Sequence, residues 1–242
     1  DHPLEIVLVV DVSGATDEED LELSRGVVEA VLRQLAPTDR VTLRLGDVRA
    51  RVPDGVPEEP AEATSETQEA ILEGLAHADL GGATDLATTL REAARAVAGR
   101  PRGAVLYLGD AIPTTGPLDA TAIERVLASV DAPPRFFGFA VGDGANIGLL
   151  RALFGEAAQA VGERPEAARA VMGVLAEAAR PTLRGLTLEL GEGIERVYPR
   201  PPITQADGAH VRVVGRLVGD LPTEVVLRGS RDGEPFEATY EV

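Results

Sequence analysis

Hydrophobic and polar positions fall into two regimes along this chain. Up to about residue 180, unbroken apolar runs alternate with stretches of helical period. "LEIVLVVDV", residues 4–12, is Val-rich and continuous, the pattern of a central strand covered on both faces. "GAVLYLGD" (103–110) and "RFFGFAVGDG" (135–144) are of the same kind. Leu21, Val28, Val31, Leu32 and Leu35 form a helical stripe after the first run. Thr16 or Asp17 caps that helix, acids fill its first turn, and Pro37 ends it. "RVTLRLGDVRARV" predicts two alternating strands joined at Gly46-Asp47. Helices are predicted over 66–77, from Thr84 or Asp85 to Gly99, over "DATAIERVLASV", over "ANIGLLRALFG" and over 165–180. Residues 53–69 hold acids and no base, which predicts an exposed, solvated loop.

After Pro181 the period changes to two. "LTLELG", "IERVYP", "HVRVVGRL", "TEVVLRG" and "FEATYEV" are short alternating segments separated by Gly, Pro and Asp. Strand–helix alternation followed by strands alone predicts an α/β fold. Residues 1–180 form a doubly wound, mostly parallel sheet, and residues 181–242 an antiparallel β appendage.

Composition narrows the partners. The 242 residues are 44% hydrophobic but only 3% aromatic, so aliphatic side chains build the core. A formal net charge of −17 argues against nucleic acid, which needs Lys and Arg to displace its counterions. It disfavours anionic membrane surfaces equally, and no apolar run is long enough to span a bilayer. Every one of the 23 basic residues is Arg, which reads with the abundant Ala as codon bias rather than chemistry. There is no Cys for a disulfide or a thiolate site.

In an open α/β sheet, ligands gather at the carboxyl ends of the strands. Three features belong there. Asp11 and Ser13 follow the first strand, Gly81-Gly82-Ala83-Thr84-Asp85 opens a helix, and Asp110 ends a later strand. Hard oxygen donors from three loops suit Mg²⁺, which retains several waters. Taken singly, each feature is ordinary turn or capping chemistry. Their order on the right elements is what makes them specific.

At these residues the chain resembles a von Willebrand factor type A domain. That family's metal-ion-dependent adhesion site reads D-x-S-x-S after the first strand, with a Thr from a Gly-rich loop and an Asp commonly within T-D-G. Here "DVSGA" supplies Asp11 and Ser13, "GGATDL" supplies Thr84, and "LGDA" supplies Asp110. The resemblance implies Mg²⁺ at these four residues, with Mn²⁺ or Ca²⁺ as substitutes and a partner's Asp or Glu completing the coordination. Ala15 stands where the second Ser is expected, and it and Asp85 border the donors. Gly109 and Ala111 replace the usual neighbours of the last Asp. A water fills the gap at Ala15 in one reading, Thr16 being one residue out of register. In the other the site is degenerate and only the fold remains.

The tail also has a likeness. "RPTLRGLTLELGEGIERVYPRPPI" and "GAHVRVVGRLVGDLPTEVVLRGSRDGEPF" resemble the region after the type A domain in inter-alpha-trypsin inhibitor heavy chains and their bacterial relatives. There a preceding VIT domain completes a shared β-sandwich. The resemblance implies that an upstream β partner is missing from this chain. It leaves two outcomes, a self-contained small sheet or a face that pairs with another chain.

Other signals are weaker. "VGDGANIG" has the wrong glycine spacing for a dinucleotide fingerprint. The first-strand motif lacks the second carboxylate of a D-x-D phosphatase nucleophile. His2, His77 and His210 share no ligand spacing, Ser13 has no adjacent base, and Glu18-Glu19 and Glu58-Glu59 read as solvated pairs. The expectation is therefore a non-enzymatic, protein-binding module of adhesion type. Its alternative is a metal-free scaffold docking through the β tail. The family resemblance favours a secreted or cell-envelope setting.

Overall fold

The computed structural model describes residues 2–199, 202–210 and 212–242. The chain divides into two compact units, Pro3–Ala179 and Arg180–Val242.

In the first unit, β1 (Glu5–Asp11) is buried at every position. Its alternate side chains enter two cores. Ile6, Leu8 and Val10 meet α1 (Glu18–Gln34), α2 (Ser65–Ala76) and α6 (Arg164–Ala178), while Val7 and Val9 meet α3 (Leu86–Ala96), α4 (Ala120–Leu127) and α5 (Ile147–Phe154). Between its terminal Glu5 and Asp11 every residue is apolar, because neither face of the strand sees water. Short side chains fix the starts of α1 to α5, whereas α6 has no side-chain cap. Asp17, Thr64, Asp85, Asp119 and Asn146 each accept a bond from a backbone N–H of the first turn.

The seven-stranded sheet runs β3-β2-β1-β5-β6-β7, with β4 also on β2. These are β2 (Arg40–Gly46), β3 (Ala50–Arg51), β4 (Ala61–Glu62), β5 (Gly103–Gly109), β6 (Arg135–Val141) and β7 (Ala158–Val161). β1, β2, β5, β6 and β7 are parallel, and only the short β3 and β4 run against β2. The order reverses at β1. The chain leaves β1 for β2 on one side and later returns to place β5 on the other, so a crevice opens beyond the carboxyl ends of β1 and β5. At the far end of the sheet, the buried Arg135 guanidinium donates to the carbonyls of Glu177 and Ala178, where the helix dipole of α6 favours a cation.

Two expectations need correction. The segment 53–69 is not a solvated loop. It lies along β2, where Arg40 Nε donates to Pro60 O at 2.9 Å and Thr42 and Arg44 donate to the carbonyls of Pro57 and Glu58. Val56, Pro60 and Ala63 are buried, and Val56 and Ala63 join the larger core. Its acids face water while three small apolar side chains face in, a split that a charge count cannot show. The strand after Gly46-Asp47 is also only two residues long, with Asp47 and Arg49 closing the turn. β7 went unread because "AQAV" is too short and too Ala-rich to announce a strand.

The second unit is antiparallel throughout. β8 (Thr182–Glu189), β9 (Ile194–Tyr198), β10 (Ile203–Ala206), β11 (Val214–Leu217), β12 (Glu224–Arg231) and β13 (Glu234–Glu241) form a sheet β10-β8-β12-β13 and a separate pair β11-β9. Asp232-Gly233, with φ of 48° and 92°, makes the two-residue turn between β12 and β13. The expected strand over "HVRVVGRL" shrinks to Val214–Leu217, residue 211 lying outside the described residues.

Val56→Ala should cost about 1.5 kcal/mol in urea denaturation, the loss of two buried carbons, while Asp54→Ala should stay within about 0.5 kcal/mol. Equal, negligible effects would mean that the segment is solvated after all.

Candidate metal centre

The crevice beyond β1 and β5 is built first from β1. Asp11 is its last residue and only 2% exposed. Its Oδ1 accepts the Ser13 N–H at 2.9 Å, and the chain turns back through Thr16, whose N–H meets Ser13 O at 3.1 Å. That turn directs the Thr16 hydroxyl at Asp11, 3.4 Å from its carbonyl oxygen and 3.5 Å from Oδ1. These are long contacts, at the limit of hydrogen bonding. Ala15 is exposed. Ser13 is 1% exposed and its Oγ is buried with no hydrogen-bond partner. Spacing alone put Thr16 out of register; the turn geometry brings its hydroxyl to Asp11 nonetheless.

The second loop meets the first through backbone. Gly81 N–H donates to Val12 O at 2.8 Å and Gly14 N–H to Gly82 O at 2.9 Å. A Cβ on Gly14 would lie 3.3 Å from that Gly82 oxygen, so a side chain there would crowd the contact. Thr84 is buried, and the 112–116 loop holds it. Its N–H donates to Thr114 Oγ1 at 2.9 Å, and its carbonyl accepts the N–H groups of Thr114 and Thr115 at 3.0 and 3.1 Å. Asp85 faces elsewhere: its carboxylate caps α3 through Thr88 N–H at 2.9 Å and lies against Gly116.

The third contribution follows β5. Asp110 is buried, its Oδ1 accepts Ile112 N–H at 2.9 Å, and its carbonyl accepts Asn146 N–H at 2.6 Å. Burial pushes its carboxyl above the usual carboxylate range. The Ile112 N–H opposes that rise, and the charges of Asp11 and Asp20 add to it. Asp20, on the first turn of α1, is raised too, by burial and then by Asp17, Glu19 and Asp143.

Sequence reasoning missed Tyr107. It sits in the middle of a buried strand, yet its hydroxyl donates to Asp11 Oδ2 at 2.8 Å and accepts Ala111 N–H at 3.2 Å. Burial and the neighbouring Asp11 carboxylate keep the phenol protonated. Gly109 leaves the room, since a Cβ there would come 2.3 Å from Asp11 Cβ and 2.7 Å from the phenol oxygen. The one available signal was a polar tip in an otherwise aliphatic buried run.

The structure thus brings Asp11, Ser13, Thr84 and Asp110 to one rim, with Thr16 added. Among the described residues, no group of three or more His, Cys, Asp or Glu side chains could hold a metal ion. Any ion here depends on hydroxyls as well as two carboxylates. The donor set fits a hard divalent cation, because the orphaned Ser13 Oγ and the mutual repulsion of Asp11 and Asp110 both call for positive charge. His77 is at the end of α2, with Nδ1 2.9 Å from Glu73 O, and takes no part.

No curated protein matches the chain in sequence. Solved structures do match it in shape. A von Willebrand factor type A protein from Catenulispora acidiphila is similar over 100% of this chain and 66% of its own, with a TM-score of 0.76 and 16% identity. The ArnB paralog VWA2 from Sulfolobus acidocaldarius is similar over 99% of this chain and 65% of its own, with a TM-score of 0.58 and 13% identity. Proximal thread matrix protein 1 of the mussel byssus, solved with a zinc-occupied MIDAS motif, matches 78% of this chain and 50% of its own, with a TM-score of 0.55 and 13% identity. The chain spans about half to two thirds of these proteins, and identities this low speak for the fold alone. The family model for the von Willebrand factor type A domain matches residues 4–157, which include the whole of the rim and every strand of its sheet but β7, and the chain belongs to that family.

Proposed function

We propose that this chain is a protein-binding module whose rim holds a divalent cation through Asp11, Ser13, Thr84 and Asp110. Mg²⁺ is the natural occupant, and Mn²⁺ or Ca²⁺ could substitute. The observation that carries the reading is the buried, unpartnered Ser13 hydroxyl beside two carboxylates that repel each other. Such groups are costly to bury unless something pairs with them. Bound there, the cation would supply positive charge and an open coordination position for an Asp or Glu of a partner protein. The Thr16 hydroxyl stands in for the one that Ala15 lacks. The byssus protein supports the reading because its motif accepts a divalent ion. Nothing in the rim is arranged as a base and nucleophile, so binding rather than turnover is the function we assign.

The second unit favours an additional docking role. Register places Val225, Leu227 and Leu188 on one face with Phe236, Ala238 and Tyr240. All six are at least partly exposed. The opposite face carries Arg228 paired with Glu189 and Glu237. An amphipathic sheet with so little behind its apolar face suits strands from an upstream VIT-like domain or a partner chain. If this docking is the whole function and the rim is only scaffold, Ala15→Ser should raise metal affinity and leave partner binding unchanged.

The primary test is thermal unfolding in EDTA and in millimolar Mg²⁺. A hundredfold excess over the dissociation constant should stabilise the native state by about 2.7 kcal/mol, and Asp110→Ala should abolish the gain. Absence of a shift in the native sequence would overturn the metal reading. Asp110→Asn should also raise the melting temperature in EDTA at neutral pH. A carboxyl held above its unfolded pKa opposes folding once ionised, and that cost is fully present above the folded pKa. A lower melting temperature would contradict it.

A further inference from the structure

We propose that Tyr107 is the positioning residue of this centre, its hydroxyl fixing the Asp11 carboxylate in the orientation that the ion requires. The inference rests on the metal reading above and adds a residue outside the D-x-S motif. The backbone ladder between β1 and β5 ends at Val10↔Leu108. Asp11 and Asp110 lie just beyond it, where the two strands no longer hold each other. The phenol bridges this gap. It donates to Asp11 Oδ2 at 2.8 Å and accepts from Ala111 N–H at 3.2 Å, tying the end of β1 to the residue after Asp110.

Asp11 is held on both oxygens. Ser13 N–H occupies Oδ1 at 2.9 Å and Tyr107 occupies Oδ2, so neither torsion of the side chain is free. Each carboxylate oxygen has a second lone pair for an ion or its water. Holding a ligand before the ion arrives removes the ordering cost from the binding step, and partners of this kind change metal affinity by about 10–100-fold. A Phe would fill the core as well as Tyr107 does. The hydroxyl therefore has a role beyond packing, and Gly109 leaves room for the pair, since a Cβ there would come 2.3 Å from Asp11 Cβ and 2.7 Å from the phenol oxygen. The phenol also softens the repulsion between Asp11 and Asp110, which lets the rim fold before it is loaded.

Tyr107→Phe tests this with Mn²⁺ as the probe, titrated calorimetrically against the full chain. The native protein should bind, and Tyr107→Phe should bind about 10–100-fold more weakly. Val171→Ala, buried on α6 in the other core, serves as a destabilised control that should keep the native affinity. No Mn²⁺ binding by the native chain would overturn the metal reading itself. Equal binding by native chain and Tyr107→Phe, or equal weakening in Val171→Ala, would overturn the role of Tyr107 alone. A second readout needs no change at Tyr107. The chain has three Tyr and no Trp, and Tyr198 and Tyr240 are exposed. In a Tyr198→Phe/Tyr240→Phe variant, saturating Mn²⁺ should shift the near-ultraviolet absorption of the one remaining tyrosine. An unshifted spectrum with the ion bound would contradict the coupling.

Discussion

Two carboxylates, Asp11 and Asp110, are held close together, mostly out of water, where the strand order reverses. That is the constraint on which the rest of the rim depends. Burial and mutual repulsion hold Asp110 above its ordinary range, so the pair is unfavourable in isolation. The sheet beneath tolerates it because β1 and β5 are buried at every position on both faces. Apolar burial of that extent fixes the strand ends regardless of what the ends carry. The carboxylates go where the sheet places them.

Around the pair, the loops are joined by backbone rather than by charge. Val12 and Gly14 are stitched to Gly81 and Gly82, the Thr84 carbonyl to the N–H groups of Thr114 and Thr115, and the Asp110 carbonyl to the Asn146 N–H. Such ties are insensitive to which side chains decorate the rim. The turn through Thr16 adds a hydroxyl 3.4 Å from the Asp11 carbonyl oxygen and 3.5 Å from its Oδ1. The adjacent acids of α1 make the crevice more negative, which favours a cation and disfavours an acidic surface arriving without one.

Much of this was legible in the sequence, for reasons that can be named. A strand buried on both faces leaves an unbroken apolar run, and a parallel crossover leaves a helix of known period after it. The position of Asp11, Ser13, Thr84 and Asp110 then follows from topology. Tyr107 and Thr16 were not legible, because one acts across strands and the other through a turn whose direction spacing does not encode. The 53–69 segment misled because its acids outnumber the few side chains, Val56 and Ala63 among them, that anchor it. In the tail, β10 was hidden by its brevity, and the pairing of β8 with both β10 and β12 by the register shifts on either side.

A fold secured by packing alone therefore carries a rim to which we assign a divalent cation. Anomalous diffraction at the manganese edge, from crystals of the chain grown with Mn²⁺, tests that claim most directly. The account predicts a single strong peak among Asp11, Ser13, Thr84 and Asp110, within reach of the Ser13 hydroxyl. A rim free of anomalous density, or a peak that avoids Ser13 and Asp110, would contradict it.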